Sequence, residues 1–309
     1  MSVPKGTAAW QGKDKTTVKR IARVFPRKTN ATPIDEYAFI DEPGLFVPED
    51  IEEVHVSVTF TWDIPRAERL AEIWARRTKA PTYIGGPAMY GEHCRPENDV
   101  FIRGRYLREG YVITSRGCPN RCWFCLVPQR EGGIRELPIV EGSNVLDNNL
   151  LACSEGHIRS VFRMLETQAA AKLSGGLESR LLKPWHVELF EKARIKEAFF
   201  AYDAADDWEP LTEAAKILKT SAWYRPHKAR CYILCGYPGD TLAKAEKRCR
   251  DTLMLGFYPF AMFYRDEHGA QKKNQEWSKF QITWTRPPAI NATARRLGLN
   301  YTRSAWNAM

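Results

Sequence analysis

Val54, Val56 and Val58 alternate with His55, Ser57 and Thr59, a period of two that sets successive side chains on opposite faces of a strand. Helical spacing follows at residues 65–77, where Ala67, Leu70, Ile73 and Trp74 recur three or four apart. Residues 81–84 return to strand before Gly85-Gly86-Pro87. Two strands around one helix predict a parallel pair joined by a right-handed crossover. Before this unit, residues 1–45 are polar and turn-rich, with Pro4, Pro26, Pro33 and Pro43, so little regular structure is expected there.

The same alternation of periods resumes at Tyr111-Val112-Ile113-Thr114, a run of β-favouring residues. A strand is expected over 144–150, ending in Asp147-Asn148-Asn149, and then a helix capped by Ser154 with Ile158, Val161, Phe162 and Leu165 on one face. Residues 173–177 form the next predicted strand and lead to Glu178-Ser179-Arg180 and a helix over 184–192. A strand at 198–202 ends at Asp203 and precedes a helix at 211–218. A strand at 231–234 breaks at Gly236, a helix capped by Asp240 or Thr241 runs to Leu255, and 257–264 is the last strand. Six strands joined by helices predict a parallel barrel or open sheet with its function at the C-terminal strand ends.

Composition narrows the setting. The chain of 309 residues has 44% hydrophobic and 12% aromatic residues, enough for a sizeable core in one large or two modest domains. No run of about 18 apolar residues suggests a membrane span. Met1-Ser2-Val3-Pro4-Lys5 lacks the apolar stretch of a secretion signal, and a cytoplasmic protein is expected. The net charge of +9 sits at the ends. Residues 1–30 carry Lys5, Lys13, Lys15, Lys19, Arg20, Arg23, Arg27 and Lys28 against Asp14, and residues 270–309 carry Lys272, Lys273, Lys279, Arg286, Arg295, Arg296 and Arg303 against Glu276. Such ends suit phosphates or simply solvent.

Chemistry concentrates at Arg116-Gly117-Cys118-Pro119-Asn120-Arg121-Cys122-Trp123-Phe124-Cys125, where three of the eight cysteines are spaced C-x-x-x-C-x-x-C. Three thiolates bind soft metals and leave one coordination position open. A structural zinc site would add a second ligand pair roughly 12 to 20 residues on. Here Cys153 stands alone, with His157 four residues later. A disulfide fits less well, because three clustered cysteines do not pair internally. Cys231 and Cys235, like Cys94, Cys153 and Cys249, read as small apolar residues rather than a second cluster.

The loop resembles the signature of the radical S-adenosylmethionine (radical SAM) superfamily. That resemblance implies a [4Fe-4S] cluster on Cys118, Cys122 and Cys125, with SAM on the fourth iron through its methionine amino and carboxylate groups, and Phe124 near the adenine. It also implies a partial (β/α)6 TIM-like barrel, open on one side, over residues 105–268. Residues 1–104 would form an N-terminal extension with a small α/β unit, and residues 269–309 a basic aromatic C-terminal segment. The front unit is similar to a reduced version of a cobalamin-binding domain, with Phe60-Thr61-Trp62 followed by Gly-Gly-Pro, yet it lacks the Asp-x-His-x-x-Gly that supplies the cobalt ligand. Cobalamin is therefore disfavoured, and His55 reads as structural.

Within such a barrel the polar strand ends would handle SAM. Asp147, Asn148 and Asn149 stand where the methionine amine is met. Glu178 suits the ribose hydroxyls and Arg180 the methionine carboxylate, although an ordinary ion pair between the two is the alternative. Gly236 lets backbone approach the adenine, or simply turns the chain. Tyr202 and Asp203 face SAM or substrate as candidate catalytic residues. The implied chemistry is one-electron reduction of SAM to a 5′-deoxyadenosyl radical that takes hydrogen from a substrate, with flavodoxin or ferredoxin as electron donor. Lysines and arginines interleaved with Trp277, Phe280, Trp284, Tyr301 and Trp306 suggest a surface that stacks bases, and hence a DNA, RNA or nucleotide substrate. A small-molecule or peptide substrate, with those aromatics closing the open side of the barrel, is the second reading. A non-catalytic iron-sulfur module is the third.

Overall fold

The valine alternation at 54–58 becomes the third strand of a small parallel sheet in a computed structural model of the chain, which describes residues 19–89, 100–102, 104–266, 268–269, 271 and 274–299. The chain divides into two units, residues 1–89 with 94–109 and residues 90–93 with 110–309.

In the front unit, β1 (Ile21–Phe25), β2 (Ala38–Ile40), β3 (Glu53–Ser57) and β4 (Thr82–Gly85) pair in the order β2-β1-β3-β4, all parallel. The register puts Val24 beside Val56 and Val56 beside Ile84. Helix α1 (Ile64–Thr78) buries Ala67, Leu70 and Trp74 against that face, as its spacing predicts. The expectation of little regular structure before residue 45 is corrected by β1 and β2. Ala22 and Val24 are buried, while Arg23 between them ion-pairs with Asp35 on the other face. The flanking charges and prolines conceal a strand of only five residues. His55 is buried, its Nδ1 on the Tyr106 hydroxyl and its Nε2 3.1 Å from Glu53, so both ring nitrogens are taken up by protein groups.

The second unit carries six parallel strands in the order β12-β11-β10-β9-β8-β5. They are β5 (Tyr111–Val112), β8 (Asn144–Val145), β9 (Lys172–Leu177), β10 (Glu197–Ala201), β11 (Ala229–Cys235) and β12 (Tyr258–Phe263). Between β5 and β8 lie the antiparallel pair β6 (Ser115–Arg116) and β7 (Arg135–Glu136) and the short helix α2 (Val127–Glu131). The crossovers are α3 (Glu155–Glu166), α4 (Pro184–Lys192), α5 (Trp208–Lys219) and α6 (Leu242–Leu255). Spatial order equal to sequence order is what successive βα units produce when each packs back onto the growing sheet.

The caps explain several boundaries. Ser154 Oγ accepts from His157 N at 3.3 Å and Thr241 Oγ1 from Lys244 N at 3.2 Å, each satisfying an amide that the first helical turn leaves free. Asp240 is otherwise engaged, since its carboxylate holds Gly236 N and the Arg248 guanidinium, both at 2.8 Å.

The last two helices, α7 (Gln275–Thr285) and α8 (Pro287–Arg296), correct the expected base-stacking surface. Trp277, Phe280 and Trp284 are buried in the hydrophobic core, with Trp277 edge-on to Phe263 of β12 at 5.8 Å. Lys279, Arg286, Arg295 and Arg296 are exposed. Apolar rings and cations lie on opposite sides of these helices, as amphipathic packing requires. Tyr301, Trp306, Arg303, Lys272, Lys273, Cys94 and residues 1–18 lie outside the described residues. Among the described residues no helix is long and apolar enough to cross a membrane.

Candidate active site at the strand ends

The cysteine loop leaves β5, turns through β6 and closes at β7. Gly117 makes the turn with φ +88°, and a Cβ there would lie 2.0 Å from Gly133 O, so only glycine fits. Cys118 N then donates to Gly132 O at 3.1 Å and Cys125 N to Cys122 O at 3.0 Å. These bonds fold the three cysteines into one compact loop.

Three consecutive side chains after β8 hold that loop. The Asp147 carboxylate accepts from Thr114 N at 2.6 Å, Thr114 Oγ1 at 2.5 Å and Ser115 Oγ at 2.7 Å. Asn148 Oδ1 accepts from Gly117 N at 3.1 Å, and Asn149 Nδ2 donates to Cys118 Sγ at 3.6 Å. The backbone below is equally tight, because a Cβ on Gly175 of β9 would lie 2.0 Å from Asp147 O. This is why β8 ends at Val145 instead of continuing to residue 150. The polar residues leave the sheet to grip the loop, and Leu150–Ala152 then form a single 3₁₀ turn. Asp147 is 2% exposed, and its carboxylate is committed to the loop.

Glu178 ties the loop to the next strand end. One of its oxygens accepts from Asn120 Nδ2 and the other pairs with Arg180 at 3.2 Å. Arg180 also pairs with Asp206 at 3.1 Å and Asp207 at 3.2 Å, so its guanidinium sits among three carboxylates. Asp207 Oδ2 accepts from Asp203 N and Ala204 N, both at 2.9 Å. Asp203 Oδ1 accepts from Leu234 N at 2.9 Å. Burial foremost, with Asp207 adding, pushes the half-buried Asp203 carboxyl up to about 7. Its charge bears on Cys125 of the loop and on the buried Cys231 alike.

Tyr202 is different. The Tyr202 ring lies in the core 5.5 Å from Trp208, with Asp251, Arg248 and Lys247 of α6 and Asp207 as its charged neighbours. Asp203 is hydrogen-bonded to Asp207 of this network, whereas the Tyr202 ring packs in the core. Gly236, with φ +74°, turns the chain so that Tyr237 reaches the loop, where its ring lies 5.7 Å from Trp123. Tyr264 is 5.6 Å from the same Trp123, and Phe124 is edge-on to it at 5.4 Å. Trp123, 61% exposed, thus gathers the ends of β11 and β12 beside the cysteines.

Several contributors escape a reading of the sequence. Asn120 lies inside the motif, but nothing in its spacing points to Glu178. Thr114 and Ser115 look like ordinary strand residues, and Asp207 becomes visible only once the chain turns back on Asp203.

The cysteines suit an iron-sulfur cluster by their chemistry. All seven described cysteines are free thiols. Cys122 is pushed up to about 11 by partial desolvation, with Cys125 and Cys118 adding, and bound iron reverses such a penalty by favouring thiolate. Among the described residues no group of three or more His, Cys, Asp or Glu side chains converges as on a single ion; a cubane takes each thiolate at a different iron. Cys231, Cys235 and Cys249 are fully buried in the core, as expected of small apolar residues.

No protein-family model matches the chain, and neither does any curated protein sequence. Solved structures do. The radical S-adenosylmethionine methyltransferase TsrM from Kitasatospora setae, with cobalamin and a [4Fe-4S] cluster bound, superposes with a TM-score of 0.52 at 12% identity, over 79% of this chain and 75% of that one. The chain shares the fold of that enzyme. The same enzyme with tryptophan substrate and the SAM analogue aza-SAM bound gives a TM-score of 0.50 at 12% identity, over 79% and 72%. At this identity the likeness is one of fold. In parallel α/β sheets the C-terminal strand ends are where a site is built.

Proposed function

We propose that this chain is a radical SAM enzyme whose six parallel strands form the partial barrel, with a [4Fe-4S] cluster on Cys118, Cys122 and Cys125. The observation that carries the reading is the seating of the loop. Asp147, Asn148 and Asn149 fix it at three points, and the last aims an N–H at the Cys118 sulfur. The cluster and SAM together supply one-electron cleavage chemistry that no side chain provides. The protein binds and orients.

Asn149 Oδ1, buried without a partner, would accept from the methionine amine. Glu178, steadied by Asn120 and Arg180, would accept from ribose hydroxyls. Arg180 would meet the methionine carboxylate only by exchanging one of its present partners, of which Asp206 is the most exposed. Phe124 and the turn at Gly236 would flank the adenine. Asp203 would hold a proton on Oδ2, the oxygen that Leu234 N does not occupy, close to neutral pH and next to substrate.

The buried Trp277, Phe280 and Trp284 favour a small-molecule or peptide substrate over nucleic acid, whose remaining support is the exposed Lys279, Arg286, Arg295 and Arg296. A flavodoxin or ferredoxin would be the electron donor. Anaerobic reconstitution tests the proposal. The wild-type chain should take up iron and sulfide and, with SAM and a reductant, release 5′-deoxyadenosine, or S-adenosylhomocysteine if it transfers a methyl group. Cys122→Ala should do neither. Iron uptake with neither product from the wild type would make the chain a non-catalytic iron-sulfur module. Metabolite and nucleic-acid mass spectrometry with and without Cys122→Ala would identify the substrate.

A further inference from the structure

The geometry points to Asn149 as the residue that sets the reduction potential of the cluster, through its side-chain N–H on the Cys118 sulfur. This inference rests on the radical SAM reading above and concerns a property that the cysteine spacing does not determine. Asn149 Nδ2 stands 3.6 Å from Cys118 Sγ. Asn149 is 3% exposed, so the donor is shielded from water. Its backbone is pinned as well, because Ala152 N donates to Asn149 O at 3.2 Å and the preceding Asp147 and Asn148 are fastened to the same loop. The Cys118 amide is already spent on Gly132 O and cannot donate to the sulfur instead.

A thiolate sulfur is an acceptor only, so the amide must present its nitrogen there. That leaves Asn149 Oδ1 on the other side, buried and without a partner, which fixes the amide in one orientation once a donor such as a ligand amine arrives. Hydrogen bonds to cluster sulfurs are one of the terms that set iron-sulfur potentials. The sense follows from charge. One-electron reduction adds negative charge that spreads onto the thiolates, and an N–H pointed at a thiolate stabilises the reduced form more than the oxidised one. The step is uptake of one electron by the cluster from an external donor, with no bond made or broken in the protein. Asn149 is thus a positioning residue that makes the cluster easier to reduce.

The test is a mediated redox titration of the cluster-loaded full chain, with dithionite as reductant and the reduced cluster read by electron paramagnetic resonance. Asn149→Ala should lower the reduced-to-oxidised ratio about tenfold at a fixed poise, which is 59 mV for a one-electron couple. Asn149→Asp, which keeps the shape but sets a carboxylate oxygen against the sulfur, should lower it further. Equal potentials in the three proteins would overturn the inference and leave the radical SAM reading standing, whereas a wild-type chain that takes up no cluster would overturn both. Should the variants fail to load, the wild-type protein decides alone. With asparagine labelled with the heavy nitrogen isotope, pulsed resonance of the reduced cluster should show a coupled asparagine nitrogen, and its absence overturns the inference.

Discussion

Thr114 gives both its backbone N–H and its hydroxyl to one carboxylate, that of Asp147, at 2.6 and 2.5 Å. Both residues are buried, and Ser115 adds a third donor to the same group. The pair joins the end of β5 to the end of β8 where the cysteine loop begins. Asp147→Ala would leave these donors buried without an acceptor. Each orphaned group costs roughly 1–3 kcal/mol, so a loss of about 3 kcal/mol or more is expected. Thermal unfolding should show it, at roughly 2–4 °C per kcal/mol for a chain of this size. Iron uptake should fall as well, because the loop loses its first anchor. An unchanged melting temperature would mean that the carboxylate does not hold the loop.

Gly117 and Gly175 are predicted to be intolerant of even a methyl group, for different reasons. At Gly117 the added Cβ meets Gly133 O at 2.0 Å and the residue has φ +88°, so Ala suffers both collision and strain. Gly117→Ala should therefore abolish iron uptake while most of the fold persists. At Gly175, φ is not the issue; the Cβ meets Asp147 O at 2.0 Å and pushes the loop support away from the sheet. Gly175→Ala should cost roughly 1–3 kcal/mol by overpacking. Circular dichroism melts with iron analysis distinguish the two outcomes, and full iron loading in Gly117→Ala would contradict the first.

Legibility followed hydrophobic period. The 15-residue helix α1 and the crossovers α3 to α6 bury stripes that recur three or four residues apart, and their caps Ser154 and Thr241 are spelled in the chain. Strand β1 was hidden, since five residues between charges and prolines give too short a pattern to separate from a loop. The cysteines could be read because ligand spacing is local. The grip of Asp147, Asn148 and Asn149 could not, because it joins residues about 30 positions apart through side chains that equally suit a turn or a ligand site. Trp277, Phe280 and Trp284 misled for a related reason. Aromatics among cations describe both a base-stacking surface and the inner face of an amphipathic helix, and composition alone does not say which side the rings face.

Iron content should separate the loop thiols from the core thiols. Cys231, Cys235 and Cys249 are fully buried and so closed to iron, and burial keeps the Cys231 and Cys249 thiols well above the ordinary range. Cys235→Ala and Cys249→Ala should each load as much iron as the wild type and lose roughly 1 kcal/mol of stability through the small cavity left behind. Cys118→Ala, Cys122→Ala and Cys125→Ala should each lose the cluster. Reduced iron in either core variant would bring a fourth protein thiolate into play.

Asp203 supplies the pH dependence, and its sign is opposite to that of a salt-bridged carboxylate. Its carboxyl is pushed up to about 7 by burial and by Asp207, against about 3.9 in an unfolded chain. Between these values the folded chain keeps a proton that the unfolded chain has lost, so stability falls as pH rises through that window. The full difference is about 4 kcal/mol at ~1.4 kcal/mol per unit, less whatever water relieves at the partly exposed group. Asp203→Asn keeps the oxygen that accepts from Leu234 N at 2.9 Å but cannot ionise. The variant should match the wild type near pH 4 and exceed it at pH 8 by roughly 1–3 kcal/mol. Urea unfolding at the two pH values measures the gap, and parallel profiles for the two proteins would show that Asp203 ionises freely.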